Sequence, residues 1–240
     1  MNASSYTKIL AKPDETLQEH TLKATGWLCK YLKWRESTVA QVARRAHISS
    51  EELKSRLFVT CYLHDIGKAS RAFQAHDFGR GQQSRGIPHP LLSLPFVYAV
   101  VPGLPNVGRS PLCFEAIAVM SHHTPFYDNL YRTGYRDVVI RKGHYCLEEA
   151  FDFYHRLPAA HRAALGFDLR FQLGEPLFEE TAAFLLDRAG DFYRVAPQIR
   201  RIHSLFVATL KYADWLASGN DDSYKYGILG IPDRLLNCLK

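Results

Sequence analysis

Apolar side chains recur at three- and four-residue spacing in several stretches of the chain, which is typical of amphipathic helices. The first stretch opens at Thr16-Leu-Gln-Glu19, which has the form of a capping box. The residues that then share one helical face are Leu17, His20, Ala24, Leu28 and Tyr31. A histidine therefore lies on an inward-facing apolar stripe.

The same spacing predicts four further helices, so we expect an all-α fold. One runs from about 50 to 66, with Gly67 as its C-terminal stop, and one begins at Ser110-Pro111 and ends near His123. The others cover about 177–189 and 197–218. Strand alternation is scarce and is best at 136–140, so the loop-rich middle is expected to hold at most a short β-hairpin.

Composition and charge narrow the class of protein. The 240 residues are 47% hydrophobic, which is enough to bury a core as one domain over 1–240. Thirty Lys and Arg against 24 Asp and Glu give a net charge of +6, which favours an anionic partner such as nucleic acid. No signal or membrane segment is predicted, and the longest apolar run, 91–101, is interrupted by Pro95. Five cysteines without paired spacing favour a reducing cytoplasm.

Histidines and aspartates occupy positions where apolar side chains would suit the core better. Burying such polar groups without partners is unfavourable by about 1–3 kcal/mol each, and a divalent metal satisfies many of them together. Nitrogen and oxygen ligands without thiolate suit Mn, Fe, Ni, Co or Zn in a catalytic site. The residues concerned are His20, His64, Asp65, His89, His122, His123 and Asp214.

Taken singly, these residues have simpler interpretations. His20 fits a hydrogen-bonded core histidine, His122 and His123 fit a pair at a helix C-terminus, and Asp214 fits a solvated acid near a helix end. Lys68 fits either a lysine that contacts a phosphate or a solvated lysine at a helix end. The His64-Asp65 doublet is the most specific local signal, and it changes the weight of the others.

Leu63-His-Asp-Ile-Gly-Lys68 resembles the signature of the HD metal-dependent phosphohydrolases, an all-α superfamily named for the adjacent His and Asp. The upstream histidine and distant aspartate of that superfamily match His20 and Asp214. The longer stretches 64–74, 89–93 and 121–126 resemble, in order, the HD nuclease of type I CRISPR interference systems. That nuclease occurs alone or fused to a helicase, and the resemblance implies metal-dependent hydrolysis of single-stranded DNA opened by a guide-RNA surveillance complex.

The resemblance also implies two adjacent metals, drawn from Mn, Mg, Ni, Co or Fe. His20, His64, Asp65 and Asp214 would hold one metal. His89, His122 and His123 would hold the other, with Asp65 as the shared bridge. Two such cations about 3.5–4 Å apart clamp a phosphodiester, activate water and stabilise the leaving oxygen. Asp65 and Lys68 are therefore the expected catalytic residues, Lys68 through contact with the scissile phosphate.

A segment with interleaved aromatic and basic residues follows the last histidine pair. Bases stacking on its tyrosines and phosphates contacting its cations would suit single-stranded DNA, although an ordinary amphipathic loop fits the same pattern. Its residues are Tyr127, Tyr131, Arg132, Tyr135, Arg136, Arg141 and Lys142. Gly67-Lys68 lacks the glycines of a P-loop, so a helicase motor is expected on another chain or on a missing fused portion.

Two other functions fit the same residues. An HD phosphohydrolase acting on nucleotides or cyclic dinucleotides would need a closed pocket rather than an open basic groove. A non-catalytic module that recruits a helicase or surveillance complex would have no physical need for so many converging metal ligands.

Overall fold

The structure is a computed structural model, and it describes residues 9–69, 89–90, 93, 97, 114–123 and 197–219. Within these ranges the chain is helical apart from one short hairpin, so the predicted all-α class is confirmed. The strands are β1 (Leu10–Lys12) and β2 (Glu15–Thr16). The helices are α1 (Leu17–Trp34), α2 (Glu36–Arg45), α3 (Ser50–Leu63), a 3₁₀ helix (Ile66–Ala69), α4 (Phe114–Ser121) and α5 (Pro197–Ala217).

Helix α1 begins as the sequence predicts. The Thr16 hydroxyl accepts a hydrogen bond from the Glu19 backbone N–H at 3.1 Å, and the Glu19 carboxylate accepts one from the Thr16 backbone N–H at 2.9 Å. This reciprocal pair satisfies amides that the first helical turn leaves open. The helix then buries a continuous face that includes Leu17, His20 and Leu28.

The hairpin lies before α1, where the sequence predicts no strand. Its two strands pair antiparallel, with Leu10 opposite Thr16 and Lys12 opposite Glu15. The backbone N–H of Leu17 donates to the carbonyl of Ile9 at 2.8 Å, which ties the start of α1 to the first strand. The hairpin therefore fixes the position of Glu15 relative to the first turn of α1.

Helix α3 ends earlier than predicted. It begins after Ser49, whose hydroxyl accepts from the Glu52 N–H at 3.0 Å, and it ends at Leu63. Gly67 is not its stop: the residue lies inside the 3₁₀ helix, without a positive φ, and its N–H donates to the Ser93 hydroxyl at 2.8 Å. This tertiary contact, rather than a left-handed glycine, holds the backbone after the His64-Asp65 doublet.

The long helix α5, predicted at 197–218, organises the described core. It packs against α1, α3 and α4, and α3 also packs against α1 and α4. Phe206, Leu210 and Tyr212 of α5 are buried in this core. The Tyr212 ring lies 4.9 Å from that of Tyr31 on α1, measured between centroids. This packing brings Asp214 beside the N-terminal half of α1.

An ion pair connects α3 to α4 inside this core. Arg56 Nε donates to Glu115 Oε1 at 2.5 Å, and a second guanidinium nitrogen donates to Oε2 at 3.3 Å. Arg56 is 7% exposed and Glu115 is fully buried. The pair holds α4 in register with α3, so it also determines where the histidines after α4 lie.

Several predicted features lie outside the described residues: the helix at 177–189, the strand at 136–140, the Ser110-Pro111 start and the aromatic and basic segment at 126–142. Among the helices that are described, none is long and apolar enough to cross a membrane.

Candidate metal centre

All seven predicted metal ligands lie among the described residues, and the fold brings them together. They come from five parts of the chain: α1, the end of α3, the helical residue His89, the end of α4, and α5. Their ligand atoms form two groups, and within each group they lie within 4.8 Å of one another. The groups are His20, His64, Asp65 and Asp214, and Asp65, His89, His122 and His123. Asp65 belongs to both.

In the first group, two carboxylates face two imidazoles. His20 Nε2 lies 3.0 Å from Asp214 Oδ1 and 3.4 Å from Asp65 Oδ2. His64 Nε2 lies 3.5 Å from each of the same two oxygens. The two histidines are fully buried, and Asp65 is 1% exposed. Four ligand atoms of α1, α3 and α5 therefore surround one point.

In the second group, imidazoles surround the other oxygen of Asp65. His89 Nε2 lies 2.9 Å from Asp65 Oδ1, and His122 Nε2 lies 3.8 Å from it. His123 Nε2 lies 3.1 Å from His89 Nε2. Because Oδ1 faces this group and Oδ2 faces the first, the Asp65 carboxylate lies between the two groups.

Hydrogen bonds behind the rings turn their Nε2 atoms inward. His64 Nδ1 lies 2.5 Å from the Cys61 carbonyl oxygen. His122 Nδ1 likewise contacts the Val119 carbonyl oxygen. A carbonyl only accepts, so Nδ1 carries the proton and Nε2 keeps its lone pair. The corresponding partner of His20 is the Glu15 carboxylate, with Nδ1 and Oε2 3.2 Å apart. The sequence analysis missed Glu15, because its position depends on the hairpin.

The residues fit a divalent metal. Among the ligand atoms, His64 Nε2 and His122 Nε2 are buried without a hydrogen-bond partner of suitable geometry. Burial without partners is unfavourable, and a cation satisfies such atoms together. The set contains imidazole and carboxylate groups and no thiolate, which suits divalent transition metals in a catalytic site.

The electrostatics keep the carboxylates ionised. Burial alone would raise the pKa of Asp65, but His64, Lys68 and His89 hold it well below its ordinary value. Burial is likewise outweighed at Asp214, where the neighbouring His20 and His64 rings lower the pKa. Both side chains are therefore anions at neutral pH and available as ligands.

The pKa values of three imidazoles in the two groups are shifted in different directions. Burial lowers the pKa of His89 to about 4, so its ring is neutral at physiological pH. Burial and the neighbouring rings of His122 and His89 also lower the pKa of His123. At His64, by contrast, Asp65 and Asp214 outweigh burial and raise the pKa. Metal binding to the first group thus competes with a proton on His64.

Lys68 lies beside Asp65 rather than in solvent. Its ammonium is 2.6 Å from Asp65 Oδ2, and the residue is only 7% exposed. The interpretation of Lys68 as a solvated lysine at a helix end is therefore wrong. Contact with a substrate phosphate stays a prediction.

Comparison with known proteins places this geometry in a family. The family model for the HD domain of Cas3 matches residues 14–222, a span that contains all seven ligands. The chain belongs to the Cas3 HD-domain family. The resemblance to the HD nucleases of type I CRISPR systems is thereby confirmed.

Two proteins of Methanocaldococcus jannaschii are similar to this Cas3 HD domain. A CRISPR-associated nuclease/helicase Cas3 is 31% identical over 191 residues, which cover 72% of this chain and 25% of the relative. The chain thus spans about a quarter of that relative's length. The solved structure of a Cas3 HD-domain protein is 21% identical, with a TM-score of 0.57, and covers 86% of this chain and 98% of its own. This likeness confirms the HD-domain fold.

Proposed function

We propose that this Cas3 HD domain is a metal-dependent nuclease that hydrolyses phosphodiester bonds of single-stranded DNA in CRISPR type I interference, a form of antiviral defence. The observation that carries the proposal is the Asp65 carboxylate, whose two oxygens face two separate ligand groups. A carboxylate shared in this way is the bridging ligand that a two-metal hydrolase requires.

The proposed ligands follow from the two groups. His20, His64, Asp65 and Asp214 hold one divalent ion, and Asp65, His89, His122 and His123 hold the second. Mn, Mg, Ni, Co and Fe are the candidates, because each accepts imidazole or carboxylate ligands. When bound, such a pair lowers the pKa of a coordinated water and stabilises negative charge on the leaving oxygen.

The residues of the chain prepare this site in three ways. The backbone carbonyls behind His64 and His122 orient the rings before any ligand arrives. Burial keeps His89 neutral, so its lone pair is available at physiological pH. Lys68 contacts Asp65 at the edge of the first group, from which its ammonium can neutralise a phosphate oxygen of the substrate.

Single-stranded DNA is the substrate favoured by charge and by family. The net charge of +6 suits a polyanion, and the interleaved aromatic and basic segment at 126–142 is the proposed stacking surface, although it lies outside the described residues. The curated relative is named as both nuclease and helicase. We therefore propose that the domain, a single unit over 1–240, acts in the cytoplasm with a helicase and a guide-RNA surveillance complex.

Cleavage assays with several substrates test the proposal. The protein is stripped of metal and offered labelled single-stranded DNA, duplex DNA and free nucleotides, with Mn, Mg, Ni, Co or Fe returned in turn. We expect metal-dependent cutting of single-stranded DNA that is lost in Asp65→Ala and in the isosteric Asp65→Asn. Glu51→Gln, an exposed carboxylate on α3, is the matched control and retains activity.

The contradicting outcomes are distinct. Hydrolysis of nucleotides but not of DNA would indicate a nucleotide phosphohydrolase. Binding to a helicase without cleavage under any metal would indicate a recruitment module. Cutting that persists in metal-free Asp65→Asn would exclude the proposed centre altogether.

A further inference from the structure

Glu15 lies on the outer side of His20, opposite the candidate metal site. Its Oε2 is 3.2 Å from His20 Nδ1, while His20 Nε2 is 3.0 Å from Asp214 Oδ1. Glu15 is 8% exposed and His20 is fully buried. Nδ1 of His20 therefore faces the Glu15 carboxylate, and Nε2 faces the first ligand group.

This arrangement differs from that of the other oriented rings. His64 and His122 use main-chain carbonyls three residues earlier in sequence, which any residue at that position supplies. Of the three rings whose Nδ1 contacts are described above, His20 alone is held by a side chain. Substitution can therefore remove the outer partner of His20 without altering a ligand.

The hairpin and α1 together hold Glu15 in place. Lys23 Nζ donates to Glu15 Oε1 at 2.7 Å, and Lys12 Nζ lies 3.3 Å from Oε2. Lys12 also pairs with Glu15 in the register of the two strands. Oε1 therefore faces Lys23, and Oε2 faces both His20 and Lys12.

The charge of Glu15 determines which nitrogen of His20 carries the proton. A glutamate at neutral pH is an anion and offers only acceptors, so the proton in this contact lies on Nδ1. With that proton on Nδ1, Nε2 is the nitrogen that can give its lone pair to a cation held between His20, Asp214 and Asp65. That is the form of histidine that binds a metal, and a carboxylate behind the ring is a recurring way to fix it.

We propose that Glu15 is a positioning residue that fixes the tautomer and orientation of His20 for metal binding in the first ligand group. The inference rests on the proposed metal centre. The hairpin then has a functional role, because it holds the Glu15 carboxylate behind the first turn of α1.

The variant that tests this is Glu15→Gln, which keeps the size of the side chain and removes its charge. A neutral amide can donate to His20 Nδ1 as well as accept from it, so the outer partner no longer requires a proton on Nδ1. Calorimetric titration of the metal-free protein with Mn²⁺ should show two binding events in wild type. In the variant, one of the two should weaken by about 10- to 100-fold, the usual effect of losing such an outer partner.

A second measurement needs no metal. Nitrogen-15 NMR of the imidazole side chains in the metal-free protein should show a proton on His20 Nδ1 in wild type and protonation at Nε2 alone in Glu15→Gln. Glu19→Gln is the matched control: it makes the same chemical change four residues away, in the capping box. It should leave both the tautomer of His20 and the Mn²⁺ titration unchanged.

The outcomes separate this inference from the proposed function. Unchanged tautomer and Mn²⁺ affinity in Glu15→Gln would overturn the role of Glu15 while leaving the metal centre intact. If both binding events weaken equally and helical circular dichroism is lost, Glu15 supports only the fold. That result would also overturn the proposed role of Glu15. A wild type that binds no Mn²⁺ would instead contradict the proposed function, and the NMR result would still decide whether Glu15 sets the tautomer.

Discussion

The hydroxyl of Ser93 accepts a hydrogen bond from the backbone N–H of Gly67 at 2.8 Å. The same hydroxyl donates to the carbonyl of His89 at 3.1 Å, and Ser93 is fully buried. One side chain thus connects the turn that carries Asp65 to the helical segment that carries His89. This connection keeps Asp65 and His89 in register with each other.

We expect Ser93→Ala to disturb the second ligand group more than the first. The substitution leaves the buried Gly67 N–H without its acceptor, which destabilises the fold by about 1–3 kcal/mol. It also removes the link between the Gly67 N–H and the His89 carbonyl, so one of two Mn²⁺ binding events should weaken. Urea unfolding and calorimetric titration measure the two effects, with exposed Ser37→Ala on α2 as control. An unchanged titration would show that Ser93 does not position His89.

Removing one partner of the buried Arg56–Glu115 pair should destabilise the fold, whereas replacing both partners with apolar residues should destabilise it much less. Glu115→Ala removes the carboxylate that faces the buried Arg56 guanidinium and should lower the free energy of unfolding by about 3–5 kcal/mol. The double variant Arg56→Met, Glu115→Leu removes both charges and should recover much of this loss. Urea unfolding of the three proteins measures the effect. A loss below about 1 kcal/mol in Glu115→Ala would show that the pair is solvated.

Stability should fall as the pH is lowered from about 6.5 toward 4, in part because of His203 on α5. Burial lowers the pKa of His203 to about 4 from an ordinary 6.5, so between these values the unfolded chain binds more protons than the folded one. Lowering the pH through this window therefore favours unfolding, and raising it above 6.5 restores stability.

The His203→Gln variant isolates this contribution. Its unfolding free energy in chelator should depend less on pH between 6.5 and 4 than that of wild type, by about 1–2 kcal/mol after allowance for partial exposure. His89 and His123 remain in both proteins and contribute in the same direction, so the difference reports His203. Parallel pH profiles for the two proteins would refute the assignment.

Metal should stabilise the folded protein, and Asp65 should control both binding events. A ligand that binds only the folded state adds about 2.7 kcal/mol when its free concentration is 100 times its dissociation constant. Mn²⁺ should therefore raise the thermal unfolding temperature of wild type, and less so that of His20→Ala, which lacks one ligand of the first group. Asp65→Ala, which lacks the bridge, should show the smallest rise. Equal rises in all three proteins would contradict the shared carboxylate.

The periodicity of the sequence predicts the elements that carry the site. The capping box of α1 and the spacing of α3 and α5 follow from local rules, and they place His20, His64 and Asp214 on buried faces. Helix α2 escaped prediction because only two of its residues, Val39 and Ala43, are buried. A helix with so narrow an apolar stripe gives little signal.

The features that were missed depend on tertiary contacts. The strands at Leu10–Lys12 and Glu15–Thr16 are too short to show alternation, so Glu15 could not be placed behind His20. Gly67 has the sequence position of a helix stop. In the structure its N–H donates to the Ser93 hydroxyl, and the residue lies inside a 3₁₀ helix. Local rules place several of the expected ligands on buried helix faces, and the family resemblance supplies the full expected set. The support around the centre depends on the hairpin and on Ser93, which local rules do not predict.

Anomalous diffraction from crystals grown with Mn²⁺ is the decisive experiment, because it locates the ions relative to Asp65. We expect two peaks about 3.5–4 Å apart. One should lie among His20, His64 and Asp214 and the other among His89, His122 and His123, each in contact with one oxygen of Asp65. A single peak, or two peaks of which either lies beyond reach of Asp65, would contradict this expectation.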